Sequence, residues 1–135
     1  KNELIELSRT LNVIDRTLFL DYLPTPYNYL SLFDVYAMCS RSEGFGLAAV
    51  EATLMQTPVV CSNISIFKEI FDDTKVSFFE LDNISSLLES INIAISTIGK
   101  LKAKVALNYS LNNFSGYKMA SNYLDIYSNL LNGKI

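Results

Sequence analysis

Two glutamates frame a glycine-containing turn in the segment EGFGLAAVE, which spans residues 43–51. Gly44 and Gly46 would let the backbone turn sharply and approach a ligand closely, because glycine has no Cβ. The apolar residues that follow predict a helix, and the first amides of a helix attract anions. A phosphate is the ligand that this turn favours.

The spacing of Glu43 and Glu51 indicates the shape of a ligand that would meet both carboxylates. At a helical rise of about 1.5 Å per residue, Glu51 lies about 12 Å along the axis from the level of Glu43. Two carboxyl groups that far apart do not act as one acid–base pair on a single bond. The spacing suits an elongated ligand with hydroxyl groups at both ends and phosphates in the middle.

The same residues also have a plain structural interpretation. A glycine turn after a strand is weak evidence by itself, so Glu43 could be a solvated loop residue and Glu51 could lie on an exposed helix face. Arg41 and Lys68 could bind a phosphate, but charged loop residues are more often solvated. The residues alone leave both interpretations open.

The composition narrows the class of protein and of site. The chain has 135 residues, 50% of them hydrophobic, which is enough for one domain with a substantial core. Its net charge is −3 and its 11 basic residues are scattered, so nucleic acid is not an expected partner. The sequence contains no histidine, which excludes a His-dependent triad and removes the usual zinc ligand.

The cysteines and the apolar runs indicate a cytoplasmic location. Cys39 and Cys61 each lie in an apolar run and are interpreted as buried core thiols of a reducing compartment. The most apolar stretch, residues 18–39, contains two prolines and two aspartates, too many for a membrane span.

The hydrophobic pattern predicts an α/β domain. A helix over NELIELSRTLN leads into a strand at TLFLDYL, and a short helix follows two prolines, with Tyr27, Leu30 and Phe33 on one face. VYAMCS and TPVVCS are continuous apolar runs, typical of parallel strands covered on both faces, with the helix LAAVEATLM between them. RSEGFG therefore lies beyond the carboxyl end of a strand, where open α/β sheets bind ligands.

The C-terminal part adds one strand and several helices. After a helical turn at IFKEIF, KVSFFEL predicts a strand, and Asp82 or Asn83 caps the helix ISSLLESINIAIST. Helices follow over KLKAKVALNYSL and, from an N-cap at Ser115, over YKMASNYLDIYSNLL, closed by Gly133. This last helix carries an apolar stripe, interpreted as a packing face, with a partner or membrane groove as the alternative. The stripe consists of Ala120, Tyr123, Leu124, Tyr127 and Leu131.

From TLFLDYLP through FDVYAMCSRSEGFGLAAVEATLMQTPVVCSNISIFKEI to the terminal helices, the chain resembles the C-terminal, donor-binding half of family 4 retaining glycosyltransferases, which have the GT-B architecture. The family's two glutamates separated by seven residues match Glu43 and Glu51, with GFGL in the expected place. Its A…TPVV element matches Ala52 and residues 57–60. The resemblance implies a Rossmann-like parallel sheet with flanking helices, and a partial nucleotide-sugar-binding domain over residues 1–135.

The resemblance also implies a role for each residue of the turn. Glu43 would meet hydroxyls of the transferred sugar as the catalytic residue, and Glu51 would accept hydrogen bonds from the ribose. The amides after Gly44 would face the diphosphate or the sugar, so that the ligand is a nucleotide-diphosphate sugar and no metal or other cofactor is needed. The donor-binding residues are then Gly44, Phe45, Gly46, Leu47 and Glu51.

Two departures from the family pattern affect these expectations. Ser65 and Ile66 stand where a glycine pair usually follows TPVV, which changes the pocket and the nucleotide preference. The first two strands of the family's C-terminal half, with their Arg and Lys for the leaving diphosphate, and its acceptor-binding N-terminal half have no counterpart in the chain. The chain is therefore expected to be an inactive fragment in which TLFLDYL is separated from VYAMCS.

The sequence thus predicts the donor-binding part of a retaining, metal-independent glycosyltransferase of polysaccharide biosynthesis. It would move a hexose-type sugar from a nucleotide sugar to a glycan or lipid-linked acceptor bound by the missing N-terminal domain. Membrane contact would be peripheral at most, at the inner face. The alternatives are a nucleotide-sugar epimerase of the same architecture, which would interconvert donors without acceptor, and a non-catalytic interaction module that keeps the fold.

Overall fold

The computed structural model describes residues 1–133 and has a parallel three-stranded sheet in the order β1-β2-β3. The strands are β1 (Tyr36–Met38), β2 (Val59–Ser62) and β3 (Ser77–Phe79). Tyr36 lies opposite Val59, and Val60 lies opposite Ser77. Because all three strands are parallel, their carboxyl ends meet at one edge of the sheet.

Helices cover both faces of this sheet. Among the described residues they are α1 (Asn2–Thr10), α2 (Tyr27–Leu30), α3 (Leu47–Leu54), α4 (Ser65–Ile70), α5 (Ile84–Ile95), α6 (Thr97–Asn113) and α7 (Gly116–Leu131), with a 3-10 turn at Ile14–Arg16. α5 packs on β2 and β3, whereas α3 packs on β1, β2 and α6. None of the helices in residues 1–133 combines the length and the apolarity that a membrane crossing requires.

The core lies on the two faces of β2, whose four residues are all buried. Successive side chains of a strand point to opposite faces, so Val59 and Cys61 join the cluster beneath α3, while Val60 packs with Phe79 and Ala94 of α5. The prediction that TPVVCS forms a strand covered on both faces is confirmed. Burial raises the pKa of the Cys61 thiol to about 12, as expected for a core cysteine.

The strand at VYAMCS exists, but the prediction that it is covered on both faces is wrong. β1 is an outer strand of the sheet, paired only with β2 among the described residues. Ala37 of β1 is exposed on the face of the sheet that α5 covers at β2 and β3. Cys39, directly after β1, is exposed as well, so its interpretation as a buried thiol is also wrong. An apolar run specifies a buried environment only where another element is available to cover it.

The predicted strand at TLFLDYL is absent from the described structure. Residues 17–23 contain no strand, although Thr17 has extended backbone angles. Leu18 is 81% exposed and Tyr22 is 88% exposed. An apolar extended segment becomes a strand only when a neighbour pairs with its backbone, and no such neighbour lies beside it in residues 1–133.

The predicted capping residues of α5 and α7 agree with the structure. The Asn83 side chain accepts a hydrogen bond from the Ser86 amide at 3.0 Å and caps α5, and Ser115 accepts one from the Lys118 amide at 3.1 Å and caps α7. Gly133 follows α7 with φ of +64°, as a terminating glycine should. β3 is shorter than KVSFFEL, and α6 begins earlier than KLKAKVALNYSL, at a cap formed by Ser96.

The interpretation of the α7 stripe as a packing face is wrong for the described structure. No residue of α7 is buried, and Tyr123 and Leu124 are 53% and 65% exposed. The face predicted for α2 is only partly buried, since Leu30 is in the core while Tyr27 and Phe33 are exposed. Helical periodicity reports that a face is apolar, but it does not report which surface lies against it.

Candidate functional site

The glycine turn lies at the carboxyl edge of the sheet, as predicted. β1 ends at Met38, and residues 40–46 lead into α3, which begins at Leu47. α3 is held in place by a buried pair of hydroxyl groups, because Thr53 Oγ1 lies 2.7 Å from Ser110 Oγ of α6. The sheet edge and α3 therefore fix both ends of the turn.

The two glycines of the turn differ in their structural roles. Gly46 has a left-handed backbone, with φ of +83°, and a Cβ at this residue would lie 2.5 Å from Cε1 of the buried Phe67 ring. Gly44 has no positive φ, and a Cβ there would meet no atom within 4 Å. The prediction of a sharp glycine-dependent turn therefore holds for Gly46, whereas the space next to Gly44 is open.

Three consecutive amides at the start of α3 lack hydrogen-bond partners. The N–H groups of Phe45, Gly46 and Leu47 make no hydrogen bond within residues 1–133, and Gly46, the N-cap residue, has no side chain to cap the helix. Amides at a helix N-terminus carry partial positive charge, so they favour an anion at this point.

Glu43 is half-buried and is anchored by two serines. Ser40 Oγ donates a hydrogen bond to Glu43 Oε1 at 2.6 Å, and Ser62 Oγ, at the end of β2, donates one to the Ser40 carbonyl oxygen at 2.5 Å. The Glu43 carboxylate is therefore connected to the buried sheet rather than solvated in a free loop.

Arg41, in the same turn, forms a bidentate ion pair with Asp82, which lies in the connection between β3 and α5. The guanidinium Nη1 and Nη2 lie 2.9 and 2.5 Å from the two carboxylate oxygens. The hydrogen bonds and charge of Arg41 lower the pKa of the Asp82 carboxyl group. Both side chains are exposed, and in this arrangement Arg41 is an ion-pair partner and not a free phosphate ligand.

Glu51 lies one turn into α3 and lines a cavity of about 540 Å³. Phe45 and Leu47 of the glycine turn line the same cavity, so the structure brings together three of the five predicted donor-binding residues. Glu43 does not line this cavity and lies at the other end of the turn.

The opposite wall of the cavity comes from the junction between α6 and α7, which the sequence did not place near the site. Residues 113–116 line it, together with Met119. The Phe114 ring meets the Phe45 ring edge to face, with centroids 5.7 Å apart. The N-cap signal at Ser115 predicted the junction itself, but no sequence feature indicated that the junction lies against the turn.

The phenol of Tyr36 in β1 is influenced by both glutamates, which no sequence feature indicated. Burial raises the pKa of its phenol, and the negative charges of Glu51 and Glu43 raise it further. Both carboxylates therefore lie close enough to the same hydroxyl group to influence its ionisation.

A glycine turn and two carboxylates at the carboxyl edge of a parallel α/β sheet lie where open α/β domains bind their ligands. The family model described as Glycosyl transferases group 1 matches residues 1–108, and the chain belongs to that family.

Curated relatives agree with this family. The chain is 38% identical over 130 residues to the O-antigen biosynthesis glycosyltransferase WclY of Escherichia coli, an alignment that covers 96% of the chain and 36% of the relative. It is 30% identical over 93 residues to an N-acetylgalactosamine-N,N'-diacetylbacillosaminyl-diphospho-undecaprenol 4-alpha-N-acetylgalactosaminyltransferase of Campylobacter jejuni, covering 67% of the chain and 26% of the relative. The chain thus spans about a third or less of the length of the relatives it matches.

Solved structures show the same fold. A glycosyltransferase from Rickettsia africae superimposes with a TM-score of 0.85 at 24% identity, covering 96% of this chain and 36% of the other. Anabaena Alr3699/HepE in complex with UDP gives a TM-score of 0.88 at 21% identity, covering 95% and 36%. The predicted Rossmann-like parallel sheet with flanking helices, consistent with the C-terminal half of a GT-B fold, is confirmed.

Proposed function

We propose that this chain is the donor-binding part of an enzyme that transfers a sugar, with retention, from a nucleotide-diphosphate sugar to a glycan or lipid-linked acceptor. The observation that carries the proposal is the arrangement of Glu43 and Glu51 on either side of three unpaired amides, in a chain of this family. The acceptor would bind to parts of the protein outside this chain.

The cavity supports a nucleoside position next to Glu51. The Glu51 carboxylate would accept hydrogen bonds from the ribose hydroxyls, since Glu51 lines a space of about 540 Å³ beside the turn. Phe45 and Leu47 would provide apolar contact in the same space. The unusual Ser65 and Ile66 would then affect which nucleotide is preferred.

The diphosphate would lie at the start of α3. The unpaired amides of Phe45, Gly46 and Leu47 would stabilise the negative charge that grows on the departing diphosphate, without a metal ion. The open space at Gly44 supports a close approach of the ligand to the backbone. In such a site catalysis consists mainly of positioning and of charge stabilisation.

The sugar would lie at the Glu43 end of the turn. Its hydroxyls would donate hydrogen bonds to the Glu43 carboxylate, which is already held by Ser40. As positive charge develops at the anomeric carbon, a nearby carboxylate interacts with the ring more strongly than in the ground state. Glu43 is therefore assigned as the catalytic residue.

The names of the relatives support this class of substrate. WclY is an O-antigen biosynthesis glycosyltransferase, and the Campylobacter enzyme is named for a diphospho-undecaprenol saccharide. The Anabaena protein was solved in complex with UDP and with UDP-glucose. An acceptor that is a lipid-linked or free glycan, and a uridine nucleotide donor, are the first candidates to test.

The test is a transfer assay with the full-length protein, nucleotide sugars and a lipid-linked saccharide acceptor. We expect release of the nucleoside diphosphate only when acceptor is present, and a product whose anomeric configuration by NMR matches that of the donor. Inversion would contradict retention. Isomerised donor without acceptor would favour an epimerase, and the absence of donor binding would favour an interaction module.

A further inference from the structure

The Glu43 carboxylate is the end of a chain of two hydrogen bonds that begins inside the sheet. Ser62 is fully buried at the end of β2, and its hydroxyl donates to the Ser40 carbonyl oxygen at 2.5 Å. Ser40 follows β1, and its hydroxyl donates to Glu43 Oε1 at 2.6 Å. The two bonds therefore join the ends of two neighbouring strands to one carboxylate.

This chain of bonds leaves one carboxylate oxygen free. Glu43 Oε2 makes no hydrogen bond within residues 1–133, while Oε1 is occupied by Ser40. A glutamate side chain has several rotatable bonds and loses conformational entropy when it is held in one orientation. A hydroxyl bound to one oxygen removes part of that freedom before any ligand arrives, and leaves the other oxygen available to accept.

The hydrogen-bond requirement of the serines alone does not explain the arrangement. The buried Ser62 hydroxyl needs a partner, and the Ser40 carbonyl supplies one. Ser40 itself is only half-buried, so its hydroxyl had water as an alternative partner. Of the two hydrogen bonds, the one from Ser40 to Glu43 is therefore the one that burial of the serines does not require.

We propose that Ser40 is a positioning residue for Glu43, and that Ser62 in turn positions Ser40. The inference rests on the proposed function, because it takes Glu43 to be the residue that meets the donor sugar. Ser40 acts through Glu43 and not on the ligand directly. The effect of removing its hydroxyl should therefore depend on the presence of the Glu43 carboxylate.

The first experiment measures transfer by the full-length protein with Ser40→Ala. We expect kcat to fall about three- to tenfold, since a misplaced catalytic group loses rate without losing its chemistry. The affinity for the nucleoside diphosphate without its sugar should remain unchanged. Ser40→Thr, which keeps a hydroxyl, should restore most of the rate, and Ser62→Ala should show a smaller loss than Ser40→Ala.

Ser42→Ala is the matched control. Ser42 lies in the same turn, is exposed, and its hydroxyl makes no hydrogen bond within residues 1–133. Its transfer rate should equal that of the unaltered protein. If Ser42→Ala and Ser40→Ala slow transfer equally, the loss belongs to the turn in general and the positioning role is wrong.

The decisive measurement is a double-mutant cycle with Glu43→Gln and Ser40→Ala. If Ser40 works through the carboxylate, Ser40→Ala should add little to the loss caused by Glu43→Gln. An equal loss in both backgrounds would overturn the proposal, because Ser40 would then act on the ligand or on the turn. Circular dichroism of each variant checks its fold, and Ser40→Cys serves in place of Ser40→Ala if the latter does not fold.

The cycle also separates this inference from the proposed function. If Glu43→Gln leaves transfer unchanged, the catalytic role of Glu43 fails, and the positioning proposal fails with it. If Glu43→Gln slows transfer and Ser40→Ala does not, only the positioning proposal is overturned.

Discussion

The two ends of the glycine turn are held by different kinds of interaction. From Ser40 to Gly44 the turn is polar and is fixed by hydrogen bonds and by the Arg41–Asp82 ion pair. From Phe45 to Glu51 it is fixed by packing, with Gly46 against Phe67 and Phe45 against Phe114. A change that disturbs the packing around Gly46 should therefore reduce stability, whereas a change to the Glu43 carboxylate at the polar end should reduce activity.

The largest effect on stability is expected for Gly46→Ala. A side chain at a left-handed residue costs roughly 1–2 kcal/mol, and forcing a Cβ against the buried Phe67 ring costs about 1–3 kcal/mol more. The free energy of unfolding, measured by urea denaturation, should fall by about 2–5 kcal/mol in total.

Gly44→Ala is the matched control for that change. Gly44 has no positive φ and no atom near its absent Cβ, so the same substitution should alter the free energy of unfolding by about 0.5 kcal/mol or less. Equal destabilisation by both variants would remove the distinction between the two ends. A raised donor KM for Gly44→Ala at unchanged stability would support the distinction, because a change at the polar end would then affect donor binding and not folding.

The largest effect on activity is expected for Glu43→Gln, at the polar end. The carboxylate should interact more strongly with the ring in the transition state than in the ground state, so kcat should fall. A hydrogen bond to a charged group contributes roughly 1.5–3 kcal/mol, which corresponds to a rate loss of about ten- to a hundredfold. Transfer rates and nucleoside diphosphate affinity are measured in the full-length protein.

The control is Glu69→Gln, which removes a carboxylate that is exposed on α4 and has no hydrogen bond within residues 1–133. It should leave transfer unchanged. If Glu43→Gln weakens nucleoside diphosphate affinity as much as it slows transfer, Glu43 contacts the nucleotide and not the sugar.

A different kinetic signature is expected for Glu51→Gln, on the packed side of the turn. A ribose contact is made about equally in the ground and transition states, so donor KM should rise, by about tenfold, with kcat nearly unchanged. Steady-state kinetics with varied donor would detect this. A fall in kcat at constant KM would remove the ribose assignment.

A contrast between local and long-range interactions explains which features of the fold were predictable from sequence. β2, α3 and the caps at Asn83 and Ser115 follow from local signals, because buried runs and capping side chains act within a few residues. The predicted strand in residues 17–23 failed, because pairing depends on a neighbour that local pattern does not specify. The α7 stripe failed as a packing face for the same reason.

The candidate site divides in the same way. The places of Glu43, Gly46 and Leu47 in the turn followed from the strand–turn–helix pattern, and the family resemblance suggested their roles. Phe45 and Phe114 are in contact although they are 69 positions apart in the sequence. Ser62 and Ser40 are hydrogen-bonded although they are 22 positions apart. Contacts at such separations depend on how the helices and strands pack, and no spacing rule predicts them.

The smallest effect is expected for the exposed Arg41–Asp82 ion pair. It is the weakest of the three interactions that hold the polar end of the turn, the others being the hydrogen bonds from Ser62 to Ser40 and from Ser40 to Glu43. Exposed pairs contribute little, because water and salt screen them, so Asp82→Asn should change kcat and donor KM by no more than about twofold.

Arg41 lowers the pKa of the Asp82 carboxyl group, so the pair stabilises the folded state at pH above the ordinary pKa of an aspartate. That contribution should fade as the pH falls through the lowered pKa, and it should also fade in high salt. Urea denaturation of the unaltered protein and of Asp82→Asn, at neutral and acidic pH, tests this, because the two curves should converge in acid. A large loss of transfer at neutral pH with an unchanged fold would instead mean that Arg41 must be held by Asp82 for catalysis, and the polar end of the turn would then depend on its exposed pair as well as on Ser40.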